Sequence, residues 1–274
     1  MKARLKFSKI GSMRFIGHLD VMRYFQKAFR RADISISYSQ GYSPHQLMSF
    51  ASPLGIGLSS DAEYLDIVLD DNEPTEHILD RINAVMNDEI TVKTFTILDD
   101  EAKTSMAVLA ACDYLITVKP DQLSFLLDED MRKCALKTFA KRDSIEILKK
   151  TKRSEKMVDI KENIYCITDI RQQFESFTGQ KYQNLALDTN LYQPVLYMQL
   201  TAGSVVNIKP ELVLEALHSQ ESKEYDWLAY QIHRIEMYAD MDAKKGEVHT
   251  LSSEVPCRLL PLSEYAGCRK EEVE

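Results

Sequence analysis

Cysteines are few in this sequence, and no two are close together. Cys112, Cys134, Cys166, Cys257 and Cys268 are never within four residues of one another. That spacing excludes a CxxC zinc or redox motif and the clustered thiols of a local iron–sulfur ligand set. The odd number and the scatter also argue against a disulfide framework. No apolar run approaches the roughly 18 residues of a membrane-spanning helix. Gly55-Ile56-Gly57 lacks the third glycine and the following lysine of a phosphate-cradling loop, and no glycine–aromatic RNA-recognition run occurs. The opening Met1-Lys2-Ala3-Arg4-Leu5-Lys6 alternates polar with apolar residues, unlike a signal peptide. These absences together predict a cytoplasmic protein without membrane association, cofactor or bound metal.

What is present is a globular composition, 45% hydrophobic and 28% charged over 274 residues, enough for one large domain or two ordinary ones. The net charge of −8 is unevenly spread. Residues 1–50 carry nine basic and two acidic side chains, a net of +7, so the remainder carries −15. A basic block in an acidic chain points to a localised anion-binding face, unless the two blocks pair across one domain.

Ala3, Leu5 and Phe7 alternate with Lys2, Arg4 and Lys6, the period of a half-buried strand. From Leu19 to Ala32 the period turns helical, with Val21, Met22, Phe25, Ala28 and Phe29 on one face and Arg23, Lys27, Arg30 and Arg31 on the other. Alternation over Ile34–Tyr38 and Glu63–Leu69, a helix from Pro74 to about Met86, and a β-branched run over Ile90–Leu98 follow. The order β-α-β-β-α-β is that of a ferredoxin-like unit. It recurs less regularly in a strand over 113–118, a helix over 122–140, a hairpin over 144–160, a strand over 193–201, a helix over 211–217 and a strand over 231–238. The prediction is an α+β protein of two ferredoxin-like units with antiparallel sheets. The basic unit spans 1–100, the second, irregular unit 108–240 with an insertion near 169–192, and a loosely ordered tail 241–274.

Chemistry concentrates in two segments. Tyr38-Ser39-Gln40-Gly41-Tyr42-Ser43-Pro44-His45, continuing to Ser49, is a polar loop with little to bury, the kind of segment that recognises ligands. Tyr38, Gln40, Gly41, Tyr42, Ser43, His45 and Ser49 form the expected recognition set, and Arg4, Lys6, Arg14, Arg23, Lys27, Arg30 and Arg31 the expected phosphate contacts. In a ferredoxin-like unit, Arg4 and Lys6 beside Tyr64 and Asp66 would form the open sheet face, unless Lys6 and Asp66 pair there. His18 stands at the mouth of the first helix, with Asp20 two residues on to orient it. Paired with His45, it would give a metal-independent RNA-cleaving site. The alternative is that His18 caps the helix and His45 bonds its own loop.

With Arg14-Phe15-Ile16-Gly17-His18-Leu19-Asp20 followed by Tyr38–His45, Ser49-Phe50-Ala51, Pro53–Gly57 and Ala62–Asp66, the chain resembles the bacterial radical-SAM-associated protein family, a domain of unknown function. That family occurs as a separate chain or fused behind a radical-SAM domain, and this chain looks like the stand-alone form. Gln46 stands where the family pattern tends to have a second proline, which implies a less rigid loop. The resemblance implies a radical-SAM protein as partner and work on RNA or the ribosome. A more distant similarity is to the CRISPR repeat-processing endoribonucleases, which use a histidine near the first helix. This chain lacks their glycine-rich C-terminal loop. The expectation carried forward is an accessory RNA-binding or substrate-presenting protein. The alternatives are a nuclease using His18 and His45, and a small-molecule site between the two units.

Overall fold

The computed structural model describes residues 1–70, 75–150, 155–243, 246–253 and 257–265. It is a mixed α+β molecule whose sheet is mostly antiparallel. The chain divides into two units. Met1–Leu109, Glu236–Asp240 and the segment from Leu259 form the first, and Ala110–Ile235 with Met241–Arg258 the second.

In the first unit, β1 (Lys2–Lys9) lies between β3 (Ser59–Val68) and β4 (Val92–Leu98), antiparallel to both. A central strand is covered on both faces, so its alternation reflects two kinds of burial, not burial and exposure. Ala3, Leu5 and Phe7 pack with Leu65, Ile67 and Val92 against α1 (His18–Arg31) and α2 (Thr75–Ala84). α1 starts at Gly17, whose carbonyl accepts from Asp20 and Val21, and Asp20 places a carboxylate at the positive end of the helix dipole. At its other end, Arg81 of α2 donates to the carbonyls of Ala32 and Asp33, while Arg31 donates to Val85 O at 2.8 Å. The two helices thus satisfy each other's terminal carbonyls, groups that have no partner within their own helix.

Three expectations are corrected here. Ile34–Tyr38 is not a strand: only Ile36 and Tyr38 make isolated bridges, and the strand beside β3 is β2 (Met48–Phe50), too short to show a period. Part of the supposed loose tail is anchored. β11 (Leu259–Pro261) pairs with the end of β10 (Tyr230–Asp240), and Leu262 has no exposed surface, because a short apolar cluster suffices to join a strand. The first unit is also discontinuous in sequence. Pro74, expected to open α2, lies outside the described residues, as does everything beyond 265.

The second unit joins the first half of β10 to β5 (Leu109–Val118), β9 (Gln193–Thr201) and β8 (Ile164–Thr168). A short α3 (Ser105–Val108) precedes β5. α4 (Glu129–Ala140) and α6 (Pro210–Gln220) fall where helical periodicity placed them, and β6 (Glu146–Lys150) pairs with β7 (Glu155–Asp159). β8 and α5 (Arg171–Thr178) lie in and beside the stretch expected to be irregular. Phe174 of α5 packs against Tyr182 and Tyr197 at 5.6 and 5.5 Å between ring centres, which orders that stretch.

Candidate nucleic-acid interface

The cations of the first fifty residues separate into two groups. Arg4 is fully buried: Nε and Nη2 grip Asp66 at 2.7 and 3.2 Å, and the remaining donors reach the carbonyls of Leu262, Tyr265 and Lys103. Lys6 pairs with Glu236, whose other oxygen accepts from the Tyr64 hydroxyl at 2.6 Å. Tyr64 is buried, and burial next to Glu236 pushes its hydroxyl pKa well up. Arg4 and Lys6 are therefore corrected from phosphate contacts to internal ion pairs, and no stacking platform is open at Tyr64. The expected Lys6–Asp66 pair is replaced by Arg4–Asp66 and Lys6–Glu236, as the cross-strand register of Arg4 with Asp66 dictates.

Arg23, Lys27, Arg30 and Arg31 are exposed on α1. Arg23 is 3.3 Å from Asp20 and Arg30 reaches back to Gln26 O, exposed contacts that hold the cations loosely and leave them accessible to an anion. Arg14 stacks its guanidinium 4.8 Å over the ring of Phe15, itself 59% exposed.

The Tyr/His segment is a small hairpin. Ser39 N donates to His45 O at 2.8 Å, Leu47 N to Ser37 O, and Tyr38 bridges Gln46. Gly41 turns the tip at φ +121°, a conformation that L side chains rarely adopt. Tyr38, Gln40, Tyr42, Ser43 and His45 are exposed, and Ser49 is half-buried at the root of the hairpin, opposite Asp66. Ser37 N bonds Val68 O and Asp70 N bonds Ser35 O, tying the segment to the end of β3. Ile34 N bonds Phe29 O, so the hairpin and the Arg30–Arg31 end of α1 lie at the same end of the unit.

His18 lies elsewhere. Its ring meets Phe50 edge-on at 5.0 Å and lines a small cavity with Lys9, Ser52, Leu54 and Glu63. At about 10 Å³ this cavity has room for one water at most. Burial, and secondarily the Lys9 ammonium, lower the His18 pKa. Lys9, Ser52 and Glu63 had no signal in the sequence, because their proximity depends on strand pairing. His45 instead holds Ser39 Oγ at 2.9 Å. From His45 to Phe50 the chain runs largely extended, and five residues of strand cover about 15 Å. The two imidazoles do not converge, so the two-histidine cleavage site is corrected to two separate structural roles. Asp20 pairs with Arg23 and does not orient His18 through any described hydrogen bond.

A family model described as an uncharacterized protein conserved in bacteria (DUF2344) matches residues 2–210. The chain belongs to that family. No curated protein matches it. Among solved structures, a crystal structure of a Cbf5-Nop10-Gar1 complex is similar at 11% identity and a TM-score of 0.40, over 86% of this chain and 48% of the other. The chain thus spans about half the length of that structure.

Proposed function

We propose that this member of the uncharacterized bacterial family is a non-catalytic accessory protein that binds RNA through its first unit. The observation that carries the reading is the exposed set of Arg23, Lys27, Arg30 and Arg31 on α1, with a hairpin of exposed tyrosines following the helix in the chain. Cations track phosphate without regard to sequence, while exposed aromatic rings stack on unpaired bases. The hairpin then recognises, and the helix supplies affinity. Resemblance to the radical-SAM-associated family supports a radical-SAM enzyme as the partner to which the RNA, or a ribosomal substrate, is presented. The scattered cysteines accord with the cluster residing in that partner.

The test is filter binding of labelled tRNA and rRNA fragments in chelator across a salt series. Replacing all four α1 cations by alanine should flatten the log K against log[salt] slope by about 3, at roughly 0.7 per single-strand phosphate contact. Tyr42→Ala should weaken binding by about 1–3 kcal/mol with the slope unchanged. Absence of binding, or an unchanged slope in the fourfold variant, would overturn the reading.

A further inference from the structure

On the face of the first unit's sheet opposite α1 and α2, at the root of the Tyr/His hairpin, lies a second cavity of about 230 Å³. Its walls include Leu47, Val68 and Leu98, with the 102–104 loop closing one side. An engineered apolar cavity of about 150 Å³ already accepts benzene, so this one holds a somewhat larger molecule. The polar lining has a definite sign. Its polar residues are Lys2, whose ammonium donates to Asp100 O and keeps two N–H groups for another acceptor, exposed Lys103, whose carbonyl accepts from Arg4, and the hydroxyl residues Ser49 and Thr104. The carboxylate in the lining, Asp66, is already paired: Arg4 donates to both of its oxygens and Ser105 N donates to one at 2.5 Å. Asp99, Asp100 and Glu101 precede the closing loop and are not among its lining residues, and Asp100 meets Lys2 through its backbone carbonyl. An apolar body with a few polar groups at one side is the usual construction of a small-molecule site.

We infer that this cavity binds a small organic monocarboxylate with a compact hydrocarbon or aromatic body. The body fills the space against Leu47, Val68 and Leu98, and the carboxylate meets the two lysines and the hydroxyls. The inference is independent of RNA binding, because none of the exposed α1 cations takes part.

Calorimetric titration of the full chain with benzoate, and in parallel with benzamide, tests it. Benzoate should bind saturably with a Kd of about 1 mM or tighter. Benzamide, with the same shape and no charge, should bind about tenfold more weakly. Val68→Trp should abolish benzoate binding by filling the cavity, and Lys103→Ala should weaken benzoate about fivefold while leaving benzamide unchanged. If Val68→Trp fails to fold, Lys103→Ala decides alone, since that residue is exposed. Lack of saturable benzoate binding, equal affinity for the two probes, or benzoate affinity unmoved by Lys103→Ala would each overturn the assignment.

Discussion

Replacing Arg4 by alanine is the perturbation that most directly separates an internal ion pair from a phosphate contact. The guanidinium has 1% of its surface exposed and makes five hydrogen bonds, two to Asp66 and three to the carbonyls of Leu262, Tyr265 and Lys103. Alanine leaves a buried carboxylate with only the Ser105 N–H, and three carbonyls short of a donor. Removing one partner of a buried pair costs about 3–5 kcal/mol, because the other charge stays behind without compensation. At roughly 2–4 °C per kcal/mol for a chain of this size, the melting temperature should fall by about 10 °C. Urea unfolding of Arg4→Ala, Asp66→Ala and the double variant measures it. The double variant should be less destabilised than the sum of the singles by at least about 1 kcal/mol, since each single leaves the same partner unpaired. Stability within about 0.5 kcal/mol of the parent for Arg4→Ala, or strict additivity, would refute the assignment and return Arg4 to the surface chemistry that its alternating pattern suggests.

Three other outcomes are expected. His18 and His218 both have lowered pKa values, each chiefly through burial, so the unfolded chain binds protons more readily than the folded one. Stability is then full above the ordinary histidine value of about 6.5 and is lost as pH falls below it; unfolding midpoints measured between pH 7.5 and 5 check the sign. In the second unit, His218 Nδ1 donates to Leu214 O and its Nε2 accepts from the Tyr230 hydroxyl at 2.8 Å, which in turn contacts Ser124 Oγ. Tyr230→Phe should cost about 1–3 kcal/mol by leaving buried Nε2 unsatisfied, with the His218 pKa read by NMR as an independent report. Gly11, at φ +53°, faces the Glu89 carboxylate that binds Ser12 N, Ser12 Oγ and Met13 N. Gly11→Ala should cost about 1–2 kcal/mol from backbone strain and displacement of that carboxylate, measured by urea unfolding.

Long or strongly patterned elements were legible in the sequence. The strand over Lys2–Lys9, α1 with its opposed apolar and cationic faces, β9 and α6 all carry a period that local sterics and burial impose. Met48–Phe50 was not legible, because three residues hold no period and their pairing is decided by β3. The Ile34–Tyr38 alternation was legible and misleading. Ile34 and Ile36 do turn inward to the core, yet the backbone there makes bridges and no ladder. Of the candidate site, the α1 cations and the exposed hairpin lie where the sequence placed them, since both are properties of one local segment.

The misassigned residues share a physical cause, which is that charge burial depends on partners far along the chain. Arg4 meets Asp66 62 residues away and Leu262 258 residues away, and Lys6 meets Glu236 230 residues away. Nothing in residues 1–50 encodes those partners, so a charge tally counts Arg4 and Lys6 toward an anion-binding face that they do not join. Lys9 is also buried and gives its ammonium to Ile16 O at 2.9 Å. With these three removed, six of the nine cations remain: the four of α1, Arg14, and Lys2, whose ammonium donates to Asp100 O. Their number sets a ceiling on the salt slope that residues 1–50 can show. A measured slope much steeper than about 4 would therefore require cations from outside the helix face. Within the first unit, exposed Lys103 is the next cation to test.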